Sequence, residues 1–259
     1  MTALILVERD GPIATVVLNR PEKLNAMSRS SWSELGQRMR ELSADADLRC
    51  VILRGAGGKA FAAGADIAEF PAVRADAVQG RAYGELIHGT MQAVGTCVHP
   101  TIAMIQGVCV GGGLEVALMC DLRICGEGSR FGVPISRLGL TMGYGELAGR
   151  LSVVGPAVAL EILLEGRVFD AKEALAKGLV HRVVGDGQVE AEVRATAERV
   201  AAGAPLVARW HKRFIRNLIA PSQLPSAEWN EGYACFDTED YREGLRAFLA
   251  KQEPRFRGK

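Results

Sequence analysis

Apolar positions fall in short blocks as far as Val184, and each block has either the length of a strand or the spacing of a helix. Leu4 to Val7, the turn dipeptide Asp10-Gly11 and the β-rich Ile13 to Leu18 predict an opening hairpin. Trp32, Leu35, Met39 and Leu42 then recur at helical intervals behind Ser31 and Glu34, which have capping-box spacing, and the stripe ends at Ala44 to Asp47. Cys50 to Leu53 and Thr101 to Ile105 are continuous apolar runs of strand length, with weaker candidates at Leu122 to Cys125 and Leu179 to Val184. Helical segments lie between them, so the alternation predicts an α/β domain with buried strands. Pro156 can open a helix through Leu164, and Asp170 with Glu173 caps a short one that ends before Gly178.

From Gln188 onward strand signals vanish, and Ala-rich, charged helical patterns take over, punctuated by Gly203, Pro205, Pro221 and Pro225. A boundary near residue 190 therefore separates an α/β core, residues 1–190, from a helical region, residues 191–259. A chain of 259 residues accommodates one large domain with such an appendage. Its 31 basic and 30 acidic residues leave a formal charge of +1, so no overall field attracts a polyanion, and nucleic acid is not an expected partner. Any anionic ligand must be held locally.

Cysteines 50, 97, 109, 120, 125 and 235 form no CxxC pair and mostly sit in apolar stretches, which predicts core thiols in a reducing, cytoplasmic compartment. The four histidines are too scattered for an HxxxH pair, and no metal site is expected. Met1 to Asp10 lacks a basic segment ahead of its apolar run, so a secretory signal is not expected there. Gly89 to Leu114 carries no Asp, Glu, Lys or Arg and has the length of a membrane span. Pro100, six glycines and the polar Gln92, His99 and Gln106 instead predict a helix end, a buried strand and a turn.

The chemistry-bearing segment is Gln106 to Glu115, which runs from a buried strand through Gly111-Gly112-Gly113 into the apolar Val116 to Met119. Consecutive glycines let the backbone approach a ligand closely, and the first N–H groups of the following helix point outward with the positive end of its dipole behind them. Glu115 lies about one helical turn beyond Gly112, so its carboxylate can share a substrate with the Gly112 N–H. The plainer alternative is that Glu115 complements the helix dipole while the glycines permit close packing.

A second such segment, Lys59 to Ile67, follows the Cys50 to Leu53 strand: Ala65 can donate its N–H into a cleft while Asp66 caps a helix, or the segment is simply a loop with a cap. Gly143 to Ala148 fits the GxGxxA form of a dinucleotide turn but has no clean strand before it and no βαβ context, so no nicotinamide site is expected. Apolar residues at Phe70 to Val73 and Leu138 to Leu147 are candidates for shaping a pocket.

These segments resemble the crotonase superfamily, the enoyl-CoA hydratase and isomerase group. The likeness runs from Leu18-Asn19-Arg20-Pro21 and Leu24-Asn25-Ala26 through Phe61 to Ile67, Gly111-Gly112-Gly113 with Glu115, Cys120-Asp121 and Phe131 to Pro134. It continues to Asp240, Arg242-Glu243-Gly244, Ala247-Phe248 and Lys251. It implies a crotonase-like spiral of ββα units with a C-terminal helical region that forms a homotrimer or a hexamer made of two trimers. It also implies acyl-CoA thioester substrates, with coenzyme A as part of the substrate and no other cofactor. Carried over by position, the Ala65 and Gly112 N–H groups would form an oxyanion hole. Lys23, Leu24, Ala26, Ala63, Asp66 and Ile67 would line the CoA path, with Phe248 and Lys251 near the nucleotide end, contributed in some arrangements by a neighbouring subunit.

Hydratases of that group place one glutamate at the Glu115 position and a second just after Phe-Gly-x-Pro, where this chain has Ile135. Isomerases of the group usually keep the second and discard the first, the reverse of this pattern. Glu146 is the first candidate for a substitute acid or base, against the plainer reading of Tyr144 and Glu146 as a surface helix start. The resulting expectation is an enolate-forming acyl-CoA enzyme, hydratase-like, with Glu115 handling the proton. The alternatives are a decarboxylase or isomerase of the same superfamily and, from another class, a non-catalytic acyl-CoA-binding protein.

Overall fold

The computed structural model describes residues 3–219 and 237–259, without the side chains at positions 137, 144–146, 148–152, 219, 248 and 249. Cys235 and the breaks at Pro221 and Pro225 lie outside the described residues. The hairpin forms from β1 (Ile5–Asp10) and β2 (Ile13–Leu18), with Asp10 paired to Ile13 and Gly11 turning at φ 56°. β1 runs further than its apolar block because Glu8 to Asp10 project to solvent at the sheet edge while their main chain still pairs.

β2 continues into a six-stranded sheet ordered β1-β2-β3-β5-β7-β10, where β3 is Cys50–Gly55, β5 Thr101–Ile105, β7 Leu122–Gly126 and β10 Arg182–Val184. All neighbours after the hairpin are parallel. The continuous apolar runs of β3 and β5 have a direct cause: both faces are covered. Val51, Leu53, Ala103 and Ile105 enter the main core. Cys50, Ile52, Ile102 and Met104 face outward against Val189, Val193, Ala197 and Ala201 of α7 (Val189–Ala202).

Four three-residue strands build a second sheet ordered β4-β6-β8-β9, comprising β4 (Ala60–Ala62), β6 (Val108–Val110), β8 (Arg130–Gly132) and β9 (Val168–Asp170). β4, β6 and β8 are mutually parallel, and β9 closes the edge antiparallel. Each turn of the chain thus gives one strand to each sheet and then a helix. β3 and β4 precede α2 (Phe70–Val73) and α3 (Ala77–Gly95); β5 and β6 precede α4 (Gly112–Met119); β7 and β8 precede α5 (Tyr144–Glu165). This is the ββα spiral that the resemblance implies.

The remaining helices correct several expectations. α1 (Arg29–Ala44) is capped by Ser28, whose hydroxyl accepts from the Ser31 N–H at 3.2 Å, so Ser31 is inside the first turn rather than the cap. Several serines in this run meet the same chemical requirement, and Ser28 is the one with extended backbone just ahead of the first helical residue. α5 begins well before Pro156, and a break at Gly155 (φ 71°, ψ 173°) leaves Pro156 to open its second half. The apolar Leu179 and Val180 precede β10 instead of forming it. Asp170 caps α6 (Ala171–Ala176) as expected, accepting from the Glu173 N–H at 2.9 Å.

The helical end is tied to the core. α8 (Pro205–Ile219) sends Lys212 to Asp121 at 2.6 Å and to the His99 carbonyl at 2.9 Å. Arg49 donates to the carbonyls of Ala201 and Phe256, and Asp240, in α9 (Glu239–Ala250), accepts from the Arg257 and Gly258 N–H groups. The five described cysteines are buried free thiols. Gly89 to Leu114 divides into the end of α3, β5, β6 and the start of α4, and no helix among the described residues is long and apolar enough to cross a membrane.

Candidate active site

Because β4, β6 and β8 run parallel, their carboxyl ends open side by side, and the three segments that follow them wall one cleft. In open parallel sheets this is the end at which ligands bind. β4 delivers Ala63, Gly64 and Ala65; β6 delivers Gly111 and Gly112; β8 delivers Pro134 and Ile135. The cleft holds a cavity of about 110 Å³ and opens to solvent. Trp32, Phe70, Ile87, Leu138, Leu140 and Met142 make its walls largely apolar, with Glu115 and Arg74 as its ionisable side chains among the described residues.

The Ala65 amide is aimed by its neighbours. The Met27 N–H donates to the Gly64 carbonyl at 2.7 Å and the Asp66 N–H donates to the Met27 carbonyl at 2.9 Å, an isolated parallel bridge. Successive peptide groups in extended chain face opposite sides, so the Ala65 N–H is turned away from Met27. It lies close to Gly112: a Cβ built on Gly112 would stand 3.8 Å from the Ala65 nitrogen, and one on Gly64 would stand 3.6 Å from the Gly112 nitrogen. Among the described residues neither the Ala65 nor the Gly112 N–H donates a hydrogen bond. Gly112 is the first residue of α4, so its amide carries the positive end of the helix dipole.

The glycines have separate reasons. Gly111 caps α4 at φ 51°, in the left-handed region. A Cβ on Gly112 would fall 2.9 Å from Trp32 Cζ2, and one on Gly113 would fall 2.2 Å from the Ala62 carbonyl oxygen. Glu115 follows in the first turn, its N–H donating to the Gly111 carbonyl at 3.1 Å, and its side chain is buried where it lines the cleft. Ile135 lines the same cleft from the 3-10 turn Pro134–Leu138.

Two residues that the periodicity did not single out hold the loop beside this wall. Asn25, buried with φ 56°, accepts from the Arg20 N–H at 3.0 Å and donates to the carbonyls of Ala56 and Ala60. Arg20 donates to the Ala26 carbonyl at 2.7 Å and pairs with Asp66 at 2.9 Å. That hydrogen bond to Arg20 holds the Asp66 carboxyl below its ordinary range, and Asp66 also caps the 3-10 turn Ile67–Glu69 through the Ala68 N–H. The asparagine of Leu24-Asn25-Ala26 is the available signal, since asparagine tolerates the left-handed region.

Ala65, Gly112, Glu115, Ala63, Ile67 and Ile135 therefore meet at one cleft. Lys23, Leu24, Ala26 and Asp66 lie in the adjoining loops rather than on its wall, with the Ala63 N–H donating to the Leu24 carbonyl at 3.0 Å. Leu24 and Ile67 present exposed side chains. The side chains of Glu146 and Phe248 lie outside the described residues; Lys251 is exposed after α9. Trp32, Ile87 and Arg74 are cleft residues that sequence reasoning missed: Trp32 and Ile87 come from helices remote in the chain, and Arg74 directly follows the apolar Phe70 to Val73.

A family model described as enoyl-CoA hydratase/isomerase matches residues 8–259. The short-chain-enoyl-CoA hydratase of Clostridium acetobutylicum is 32% identical, over 96% of this chain and 95% of that protein. A probable enoyl-CoA hydratase of Mycobacterium tuberculosis is 36% identical over 97% of each. Among solved structures, an enoyl-CoA hydratase/carnithine racemase from Magnetospirillum magneticum is 51% identical with a TM-score of 0.98, covering 100% of this chain and 97% of that one. An enoyl-CoA hydratase from Bacillus anthracis has a TM-score of 0.91 at 33% identity, covering 99% of this chain and 100% of that one.

Proposed function

The chain belongs to the enoyl-CoA hydratase/isomerase family and is a hydratase-like enzyme, and from that premise we propose how it works on an acyl-CoA thioester. The observation that carries the reading is the pair of adjacent, undonated amides of Ala65 and Gly112 beside Glu115. In the hydration direction, the Glu115 carboxylate takes a proton from water as the water oxygen bonds to Cβ. The π electrons move into the thioester, whose oxygen becomes an enolate held by the two N–H groups. Glu115 then returns its proton to Cα. The amides and the dipole of α4 are fixed before reaction, so they stabilise the developing charge without reorganising. Coenzyme A enters as part of the substrate. Ala63 and Ile67 on the cleft wall and Lys23, Leu24, Ala26 and Asp66 in the adjoining loops form its path, and the exposed Lys251 serves its nucleotide end.

Crotonyl-CoA hydration, followed together with CoA-ester affinity, tests the assignment. Glu115→Gln is expected to lower kcat by about a hundredfold or more while leaving ester affinity intact. Full turnover in that variant would overturn it.

Ile135 favours a second reading. An apolar group on the wall facing the substrate suits loss of CO2 from a malonyl-type CoA better than it suits holding a charged base. Product analysis separates the two, and ester binding without turnover on a broad substrate panel would mark a binder. The exposed Leu160 and Leu164 of α5 and Ile215 and Leu218 of α8 support assembly into a homotrimer or a hexamer, and the buried free thiols support a cytoplasmic setting.

A further inference from the structure

Arg74 stands out among the residues of the cleft. It ends α2, lines the same cavity as Glu115 and Ile135, and is only partly exposed. Its guanidinium lies 4.8 Å from the centre of the Phe70 ring and 5.0 Å from that of Tyr83, two rings set edge to face at 6.2 Å. Among the described residues its guanidinium meets no carboxylate and no hydrogen-bond acceptor, and it is the arginine that lines this cleft, whereas Arg20 beside the cleft is paired with Asp66. The aromatic contacts hold the planar group in place and leave its N–H fork unused.

A second observation points the same way. The Tyr83 hydroxyl and the Trp32 indole N–H are buried next to each other and reach no other hydrogen-bond partner among the described residues. Trp32 lines the cleft, and Tyr83 supports the Arg74 guanidinium. The Arg74 fork on the wall of an apolar cavity, backed by a Tyr83 hydroxyl whose proton has no acceptor among the described residues, describes a place for an acceptor-rich, anionic group. Ile135, which lines the same cleft, stands where hydratases of the family carry a carboxylate that would repel such a group.

We propose that Arg74 determines specificity by binding a carboxylate carried on the acyl group, so that the preferred substrates are short carboxyacyl-CoA thioesters rather than purely aliphatic ones. The assignment rests on the acyl-CoA reading above and deepens it. The substrate carboxylate accepts from the Arg74 fork, and the thioester oxygen stays at Ala65 and Gly112.

Equilibrium binding of glutaryl-CoA, butyryl-CoA and free CoA tests it, since neither saturated ester can be hydrated. Wild type is expected to bind glutaryl-CoA about tenfold or more tightly than butyryl-CoA, the size of effect that one charge-assisted contact gives. Arg74→Met should abolish the preference without changing butyryl-CoA or free CoA affinity, and Arg74→Lys should restore part of it. Circular dichroism of both variants verifies the fold. Equal affinities for the two esters in wild type would overturn the assignment. So would a loss in Arg74→Met shared equally by both esters and free CoA, which would put Arg74 on the CoA phosphates. Binding of neither ester nor CoA would overturn the acyl-CoA reading itself, and this proposal with it.

Discussion

Gly112 shows how one missing side chain sets the chemistry. Its amide is positioned against Trp32 so tightly that a methyl group has 2.9 Å where an ordinary contact needs more. Gly112→Ala should therefore push the amide off its line while sparing the CoA path. Loss of one such donor is worth about a hundredfold or more in kcat. The check is steady-state kinetics with ester affinity measured in parallel; unchanged kcat would show that this amide does not face the thioester oxygen. Glu115, Gly112 and Ala65 were legible in the sequence because glycine runs beside a strand end have a physical meaning. Trp32 and Arg74 were not, since a tryptophan on an apolar helical stripe looks like any core residue until the tertiary structure turns it toward a cavity.

The strands of the second sheet position these residues, and they are three residues long. No periodicity can be read from so short a run, so β4, β6, β8 and β9 were invisible while β3 and β5, buried on both faces, were plain. The loops they carry are fixed by polar ties, chiefly Arg20 to Asp66. Asp66 has a folded pKa below its ordinary 3.8, so the unfolded chain takes up the proton first as pH falls. The stabilisation from this pair is therefore complete above the unfolded value and is lost as pH drops through the folded one. Urea unfolding of wild type and Asp66→Asn should differ near neutrality, and the gap should start to close only below about pH 4 and vanish once pH has passed the lower folded value. A gap that persisted at lower pH would assign the effect of the variant to something other than the charge of Asp66.

At the scale of the whole molecule, the hairpin, the α/β alternation and the helical end follow from apolar patterning, whereas the winding of two sheets from successive strand pairs needs contacts between distant residues. The apolar side chains left exposed on α5 and α8 belong to this level too. Light scattering is expected to give the mass of three or six chains, and Ile215→Lys combined with Leu218→Lys should shift it toward one; a wild-type monomer would count against the assembly. The main-chain origin of the two central amides has one more consequence. They persist through almost any exchange of the side chains around them, so on the proposed mechanism a lineage can swap an acid for isoleucine, or recruit an arginine, and alter which reaction follows while the two donors to the thioester oxygen are inherited intact.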